Sequence, residues 1–374
     1  MSQIIVKAQR ITEIKEHPNA DKLEIACIGA WETCVKIGVF TVGELVVFIP
    51  PDAILNKYLH EMLGITNYLG EMPKSSKEAE QGKRRVRACR LRGVRSFGTL
   101  MTINDVAEYY KLIQGDYPAV IFQEGDDVAR MLDITKYIPP EKVCAGDTAP
   151  GNALFHRYTD IERYQNYPSL LKNGEQVVIL EKIHGTNCRI GIVMTDEGLV
   201  LMAGSHNTCR KTVDTLGRTS LYWHPITEGI SGLRDMIEGE QGDRKAVSFV
   251  VFCEIYGPGI QDMQYGGHKA FRVFDIAVNG EYLNWDEVEY ICGIYGVPMV
   301  PVLYKGPFSE AILMEHTDGK TKVCEEVTGK FKGREGCVVK PVEERIDFDL
   351  PSGRVILKSI SPDYSDRRGA TDNA

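Results

Sequence analysis

Several apolar runs in the second half of this chain carry a charged residue where a buried strand should have none. Val177-Val178-Ile179-Leu180 reads as a core strand, yet it delivers Lys182 into the small-residue turn Gly185-Thr186-Asn187. Val250-Val251-Phe252-Cys253 runs directly into Glu254, Glu335 and Lys340 flank Gly336-Cys337-Val338-Val339, and Lys358 ends Val355-Ile356-Leu357. Burying any of these charges unpaired would cost several kcal/mol. The strands must therefore lie side by side and turn their charges either on one another, as a structural network, or on a common ligand. For Lys182 taken alone, the plain alternative is a strand-end lysine that snorkels to water. An ordinary lysine is neutral only about one time in two thousand at pH 7. A nucleophilic lysine needs burial or positive neighbours, which the end of a core strand can supply.

The 374 residues are long enough for two domains, and the composition, 43% hydrophobic and 26% charged, excludes wholesale disorder. Up to about residue 115 the chain reads as short strands (4–6, 23–28, 34–37, 45–49, 86–91, 99–103) broken by His17-Pro18-Asn19-Ala20-Asp21, Gly43 and Pro50-Pro51-Asp52. With no long amphipathic helix among them, these strands predict a small closed β-barrel. The polar stretch 73–82 reads as a mobile loop. Apolar periodicity lapses from Pro139-Pro140 to Ala149-Pro150-Gly151, which places a domain boundary near residue 145. Domains of 1–145 and 146–374 follow. The second is α+β, with largely antiparallel strands at 177–180, 188–194, 199–203, 247–253, 271–277, 299–303, 336–340 and 354–357. Its flanking helices are one marked by Ile226, Ile230, Leu233 and Ile237, and one from Trp285 to Ile294 capped by Asn284.

The net charge of −8 does not advertise a nucleic-acid binder, but Lys83, Arg84, Arg85, Arg87, Arg90, Arg92 and Arg95 crowd one short stretch. This is either a solvated edge strand or a phosphate-contacting surface, and the aromatic turn Gly93-Val94-Arg95-Ser96-Phe97-Gly98 favours the second. The ten cysteines show no Cys-x-x-Cys pair, which argues for reduced thiols and against structural zinc. No secretory leader or membrane span is visible, so the expected setting is cytoplasmic or otherwise intracellular, not secreted.

Five segments in order, Lys182-Ile183-His184-Gly185-Thr186-Asn187, Phe252-Cys253-Glu254-Ile255-Tyr256-Gly257, Val273-Phe274-Asp275-Ile276, Glu335-Gly336-Cys337-Val338-Val339-Lys340 and Val355-Ile356-Leu357-Lys358, resemble the ATP-dependent RNA ligases of the covalent nucleotidyltransferases. The His-Gly-Thr-Asn form sides with RNA ligases over DNA ligases and capping enzymes. The stretch Ile14 to Glu24, with Phe48-Ile49-Pro50-Pro51-Asp52, is similar to OB-fold tRNA-binding modules. Arg90-Leu91-Arg92-Gly93-Val94-Arg95-Ser96 matches a subgroup of RNA ligases with an N-terminal OB domain and no C-terminal one.

The resemblance implies an OB-fold RNA-binding domain followed by an adenylyltransferase domain that seals RNA 3′-OH and 5′-phosphate ends through a lysyl-AMP intermediate. It implies Lys182 as nucleophile on the α-phosphate of ATP. Lys340 and Lys358 would be cations for the phosphates and would favour the neutral form of Lys182. His184, where many relatives carry aspartate, would orient a phosphate or a metal-bound water. Glu254 would accept a ribose hydroxyl and serve the metal, and Phe274 would sandwich the adenine. Glu335 would hold the water shell of Mg²⁺ or Mn²⁺. Glu181 would reach the adenine edge, Asn187 a phosphate, and Ser205 the nucleotide. The family's second lysine in the last motif is Ile360 here, with Arg354, Arg367 or Arg368 as candidate replacements. His206 stands where an arginine is common, leaving Arg210 or Arg163 for the distal phosphates. Arg85, Arg87, Arg90, Arg92 and Arg95 would contact RNA. The expected partners are RNA and ATP, with no membrane, and the expected state is a monomer. A non-catalytic OB-containing RNA-binding protein and a capping-type guanylyltransferase remain the alternatives.

Overall fold

The computed structural model describes residues 4–116, 122–138, 146–228, 232–263, 265–325, 327 and 331–367. The chain divides into two compact units, Met1–Pro140 with Ser365–Asn373, and Glu141–Tyr364.

In the first unit, strands Lys7–Arg10, Leu45–Ile49 and Thr99–Thr102 form one antiparallel sheet, and Glu13–Glu16, Leu23–Ile28 and Trp31–Lys36 a second. Trp31–Lys36 buries Trp31, Thr33 and Val35 and turns Glu32 and Lys36 outward, the alternation of a half-buried strand. Its inward residues meet Ile11, Ile28, Phe48 and Leu100 in one apolar cluster. The sheets are joined where Phe97 N–H donates to Glu32 O at 2.9 Å. Gly98 makes that join possible: at φ +74°, a Cβ there would meet Ile49 O at 2.4 Å.

The basic stretch is not one strand. Arg84–Arg85 pairs with Ala53–Leu55, while Cys89–Leu91 forms a separate hairpin with Val94–Ser96 through Arg92 at φ 49°. The expectation of no long amphipathic helix in this part is also corrected, because Ile103–Gln114 is a helix of three turns. Thr102 caps it, accepting from Asp105 N–H at 3.0 Å while Asp105 accepts from Thr102 N–H at 2.8 Å. Its core face is thin, with only Val106 and Tyr109 buried. The stretch read as a mobile loop includes a short helical turn, Lys77–Glu80, capped by Ser76.

The second unit is built on two sheets. One runs in the order Glu162–Arg163, Leu357–Ile360, Gly336–Pro341, Gln176–Lys182, Val302–Pro307. The other runs Cys209–Arg210, Gly198–Ser205, Thr186–Thr195, Ser248–Tyr256, Ala270–Val278, Glu281–Tyr282. Val177, Ile179, Cys337, Val339 and Leu357 pack with Phe308 and Leu313 on one side of the five-stranded sheet. Strand alternation therefore turns Leu180, Lys182, Val338 and Lys358 to the other side, where Val338 meets Phe252 and Phe274 of the six-stranded sheet. That cleft carries the charged residues.

Three elements lie elsewhere than the sequence pattern predicts. The strand expected at 354–357 runs Leu357–Ile360, which moves Lys358 from its end to its interior; that expected at 299–303 runs Val302–Pro307. The Ile226–Ile237 helix is two pieces, His224–Thr227 and Gly232–Arg244, with Ile230 outside the described residues. Trp285–Tyr295 is a helix with Asn284 at its N-cap position, but the Asn284 side chain accepts from Glu344 N–H at 2.8 Å rather than capping it.

Candidate active site

Lys182 is the last residue of its strand, opposite Gly336, and its Nζ donates to Glu335 Oε1 at 2.8 Å. Glu335 is fully buried. Burial alone would raise its carboxyl, but Lys182 and His184 more than offset this and hold it below the usual carboxylate range. Glu335 Oε2 lies 3.5 Å from His184 Nδ1 and has no hydrogen-bond partner. The His184 ring also meets Tyr364 OH at 3.1 Å through Nδ1 and Asp262 Oδ1 at 2.8 Å through Nε2. Burial works against its protonation, but Asp262 and Glu335 outweigh burial and raise its pKa.

Across the turn, Gly185 N–H donates to Glu254 Oε1 at 3.0 Å. Gly185 has no room for a side chain, since a Cβ would meet Ile255 O at 2.2 Å. Burial pushes the Glu254 carboxyl up to about 8, with Lys182 opposing and Glu335 adding to the shift. Glu254 thus carries a proton at neutral pH. Asn187 faces Glu254 across the strand pair, and its buried Oδ1 has no hydrogen-bond partner.

The other predicted residues divide sharply. Lys358 is buried in register with Val338 on one side and Arg163 on the other, which sets two cations side by side in the row next to Lys182. Ile360 lies in the row of Gly336 and Lys182. Phe274 is half-buried at a bulge and packs edge-on against Tyr158, ring centres 4.8 Å apart. Glu181, on the opposite face from Lys182, is held by Lys322 N–H at 2.7 Å and by the Thr321 hydroxyl. Ser205 closes the turn before Cys209 by accepting from Thr208 N–H at 3.1 Å, and Arg210 is locked onto Asp147 at 2.6 Å.

Lys340 does not join the Lys182 group. Its Nζ, fully buried, contacts Asp275 Oδ1 and Glu344 Oε1, each at 2.9 Å. Asp275 Oδ2 accepts from Arg354 Nη2 at 2.6 Å and from Tyr158 OH at 2.7 Å, and Arg354 Nε donates to Glu344 at 2.7 Å. Burial favours the neutral form of Asp275, but Arg354 and Lys340 hold it low. Arg354 is thereby occupied and is no substitute for a second lysine. Asp275 was legible as a charge inside an apolar strand, whereas Asp262 and Tyr364 carry no signal in the sequence.

In the first unit, Arg85 is buried on Asp52, Nε to Oδ1 2.7 Å, with its guanidinium 4.3 Å above the Tyr137 ring. Arg90 and Arg95 both donate to Asp366 Oδ2, at 2.6 Å from Arg90 Nη2 and 2.8 Å from Arg95 Nε. The side chain of Arg87 passes over Gly70, and the Arg92 carbonyl accepts from Asn19.

Residues 175–360 match the RNA ligase family, and residues 5–103 match an OB-fold domain. The fold is shared with Naegleria gruberi RNA ligase. A single-residue variant of that enzyme with ATP and Mn is 21% identical, with a TM-score of 0.71 over 96% of this chain and 98% of that one. Another variant, with AMP and Mn, is 21% identical at a TM-score of 0.72, covering 96% and 98%. The same ligase with PPi is 22% identical at 0.70, covering 96% and 97%.

Proposed function

The chain belongs to the RNA ligase family, with an OB-fold domain ahead of its ligase domain, and on that premise we propose that Lys182 is the nucleophile that takes AMP from ATP. The contact of Lys182 Nζ with Glu335 Oε1 at 2.8 Å, at the mouth of a turn lined by Glu254 and Asn187, carries this reading. Glu335 accepts from Nζ and orients it, and the proton that Nζ sheds passes on to solvent rather than staying on a carboxylate held below its usual range. When Nζ loses its proton and attacks the α-phosphorus, the N–P bond forms and the bond to the pyrophosphate oxygen breaks. An oxygen of the RNA 5′-phosphate then displaces Lys182 from AMP. The 3′-hydroxyl oxygen of the other strand attacks that 5′-phosphorus, and AMP leaves. Positioning and charge neutralisation supply most of the acceleration in such transfers.

Lys358 and Arg163, adjacent on neighbouring strands, suit the phosphates. Phe274 and Val338 supply apolar faces for the adenine, and Glu254 meets a ribose hydroxyl. Two of the relatives above were determined with Mn, and the residues here fit a hydrated Mg²⁺ or Mn²⁺ bound chiefly through phosphate. Glu335 has a buried oxygen without a partner, while no group of three ligating side chains exists among the described residues. Such an ion would supply charge neutralisation on the phosphates. The same proposal places the enzyme inside the cell as a monomer acting on broken or nicked RNA, in keeping with nine described cysteines that are all free. Among the described residues, no helix is long and apolar enough to cross a membrane.

The test is covalent labelling with α-labelled ATP and Mn²⁺, with α-labelled GTP in parallel. Label from ATP on wild-type protein, and none on Lys182→Ala, is expected. Equal labelling of the variant, or labelling by GTP alone, would reject the reading.

A further inference from the structure

The six-stranded sheet holds a second concave site that the Lys182 chemistry leaves unused. Arg189 lies two residues beyond Asn187 on the same face of its strand, about 7 Å further along. It borders a cavity of about 390 Å³ whose lining includes Phe155, Arg157, Asn207, Thr208 and Cys209. Arg189 is only 3% exposed, yet its guanidinium is bound by neutral groups. Nε donates to Ser205 O at 3.1 Å, Nη1 to Phe155 O, and Nη2 approaches Cys209 Sγ at 3.9 Å. Arg157 lies alongside and donates to Asn207 Oδ1 at 3.3 Å.

Among the described residues no carboxylate reaches either guanidinium, whereas the buried Arg210 and Arg354 of the same unit each hold one at 2.6 Å. Burial holds Arg189 below its ordinary value, with Cys209 opposing and the like charge of Arg157 adding a smaller share. The His206 imidazole is lowered by burial first, with Arg157 and Arg189 adding to it and Asp160, 3.4 Å away, opposing. Buried Arg189 and the solvent-exposed Arg157 at the cavity rim carry like charge with no anion between them, and a bound anion relieves that repulsion. The planar forks of arginine pair bidentately with phosphate oxygens, and the amide of Asn207 and the Thr208 hydroxyl add donors for the further oxygens of a tetrahedral anion.

We propose that the Arg157–Arg189 cavity is a phosphate-binding subsite of the ligase domain, occupied by a phosphate of the RNA strand or by a phosphate of the nucleotide. The inference rests on the ligase reading for the identity of these two ligands. Its cation chemistry is independent of that reading.

Arg157 is exposed, so its replacement should not disturb folding, which a thermal melt verifies. Three measurements on full-length wild type, Arg157→Ala and Arg157→Lys separate the sources. They are binding of a 5′-phosphorylated oligoribonucleotide, the ATP concentration for half-maximal labelling of Lys182, and sealing of RNA already carrying a 5′ AMP cap. If RNA is the source, Arg157→Ala binds the oligonucleotide about tenfold more weakly and seals capped RNA more slowly, with the ATP requirement unchanged. If the nucleotide is the source, the ATP requirement rises about tenfold and capped-RNA sealing is untouched. Arg157→Lys, which keeps the charge and loses the fork, should fall between. All three measurements staying within about twofold of wild type for Arg157→Ala overturns the proposal. A wild-type protein that never labels sinks the ligase reading instead, and the oligonucleotide arm still decides the cavity.

Discussion

Lys182 and Lys340 stand on neighbouring strands of one sheet, both buried, each within 3 Å of a carboxylate. Their surroundings differ in what is left over. Lys340 and Arg354 face Asp275 and Glu344, two cations against two anions, with Tyr158 completing the Asp275 shell. Around Lys182, Glu335 keeps an oxygen without a hydrogen bond, 3.5 Å from His184, Asn187 keeps another, and Glu254 holds a proton rather than a charge. A buried lysine–carboxylate pair is therefore no evidence of chemistry by itself. Unspent acceptor oxygens next to it are, whereas the Lys340 cluster leaves over a donor, Arg354 Nη1.

That contrast can be broken most directly at Lys340. Lys340→Met strips a fully buried cation from Asp275 and Glu344 and should destabilise the domain by about 3–5 kcal/mol in denaturant unfolding. Labelling per folded molecule should stay close to wild type. Lys182→Met should show the reverse, no label and a smaller stability loss, because His184 remains beside Glu335. If Lys340→Met keeps full stability but cannot be labelled, the two lysines are not divided as described.

The proton on Glu254 sharpens the same contrast through pH. Its carboxyl rises from 4.5 to about 8 on folding, so between those values the native state binds the proton and the unfolded state does not. Stability must then fall as pH rises through that window, by on the order of 5 kcal/mol in total. Glu254→Gln mimics the protonated acid. Its stability advantage over wild type should be small at pH 5, grow steadily to pH 8 and level off above. Thermal melts across that range check it, and parallel curves for the two proteins would show that Glu254 is ionised in the native state.

The smallest effect is expected where an ion cluster is exposed. Arg90 and Arg95 share Asp366, but Arg90 is half-exposed, so Asp366→Asn should cost no more than about 1 kcal/mol. Freeing two guanidiniums should tighten RNA binding and steepen its salt dependence, by a slope of about 1.4 if each then meets a phosphate of single-stranded RNA. Weaker binding in the variant would mean that Asp366 orders these arginines for RNA rather than competing with it.

Much of this was legible in the sequence. The alternation of Val177 to Lys182 and the charges in strands 250–254, 271–277, 336–340 and 355–358 were enough to bring those strands together. Sequence could not say which of two faces, or which of two rows, each charge would occupy. Lys340 looked like a partner of Lys182 because both end apolar runs; only the pairing of Val178 with Lys340 and of Lys182 with Gly336 sets them four residues apart along the sheet. Asp262 and Tyr364 reach His184 from loops without periodicity, so no pattern marks them. The helix at Ile103–Gln114 was legible too, since Ile103, Val106, Tyr109, Tyr110 and Ile113 recur at helical spacing, but it is easily passed over among the short strands.

Between Lys340 and Lys358 the chain leaves the sheet and returns, and its outermost part is bare: Ile346 is 70% and Phe348 95% exposed. The ends of this excursion are pinned by Glu344 and Arg354. Leu350 dips back into the core of the five-stranded sheet, so the length can change with little penalty only at the exposed tip around Phe348. A single residue gained inside Gly336–Pro341 would exchange the two faces of that strand, turning Lys340 away from Asp275 and Cys337 into the cleft. The spacing between the fourth and fifth charged segments can thus change at this tip, while the spacing inside each cannot.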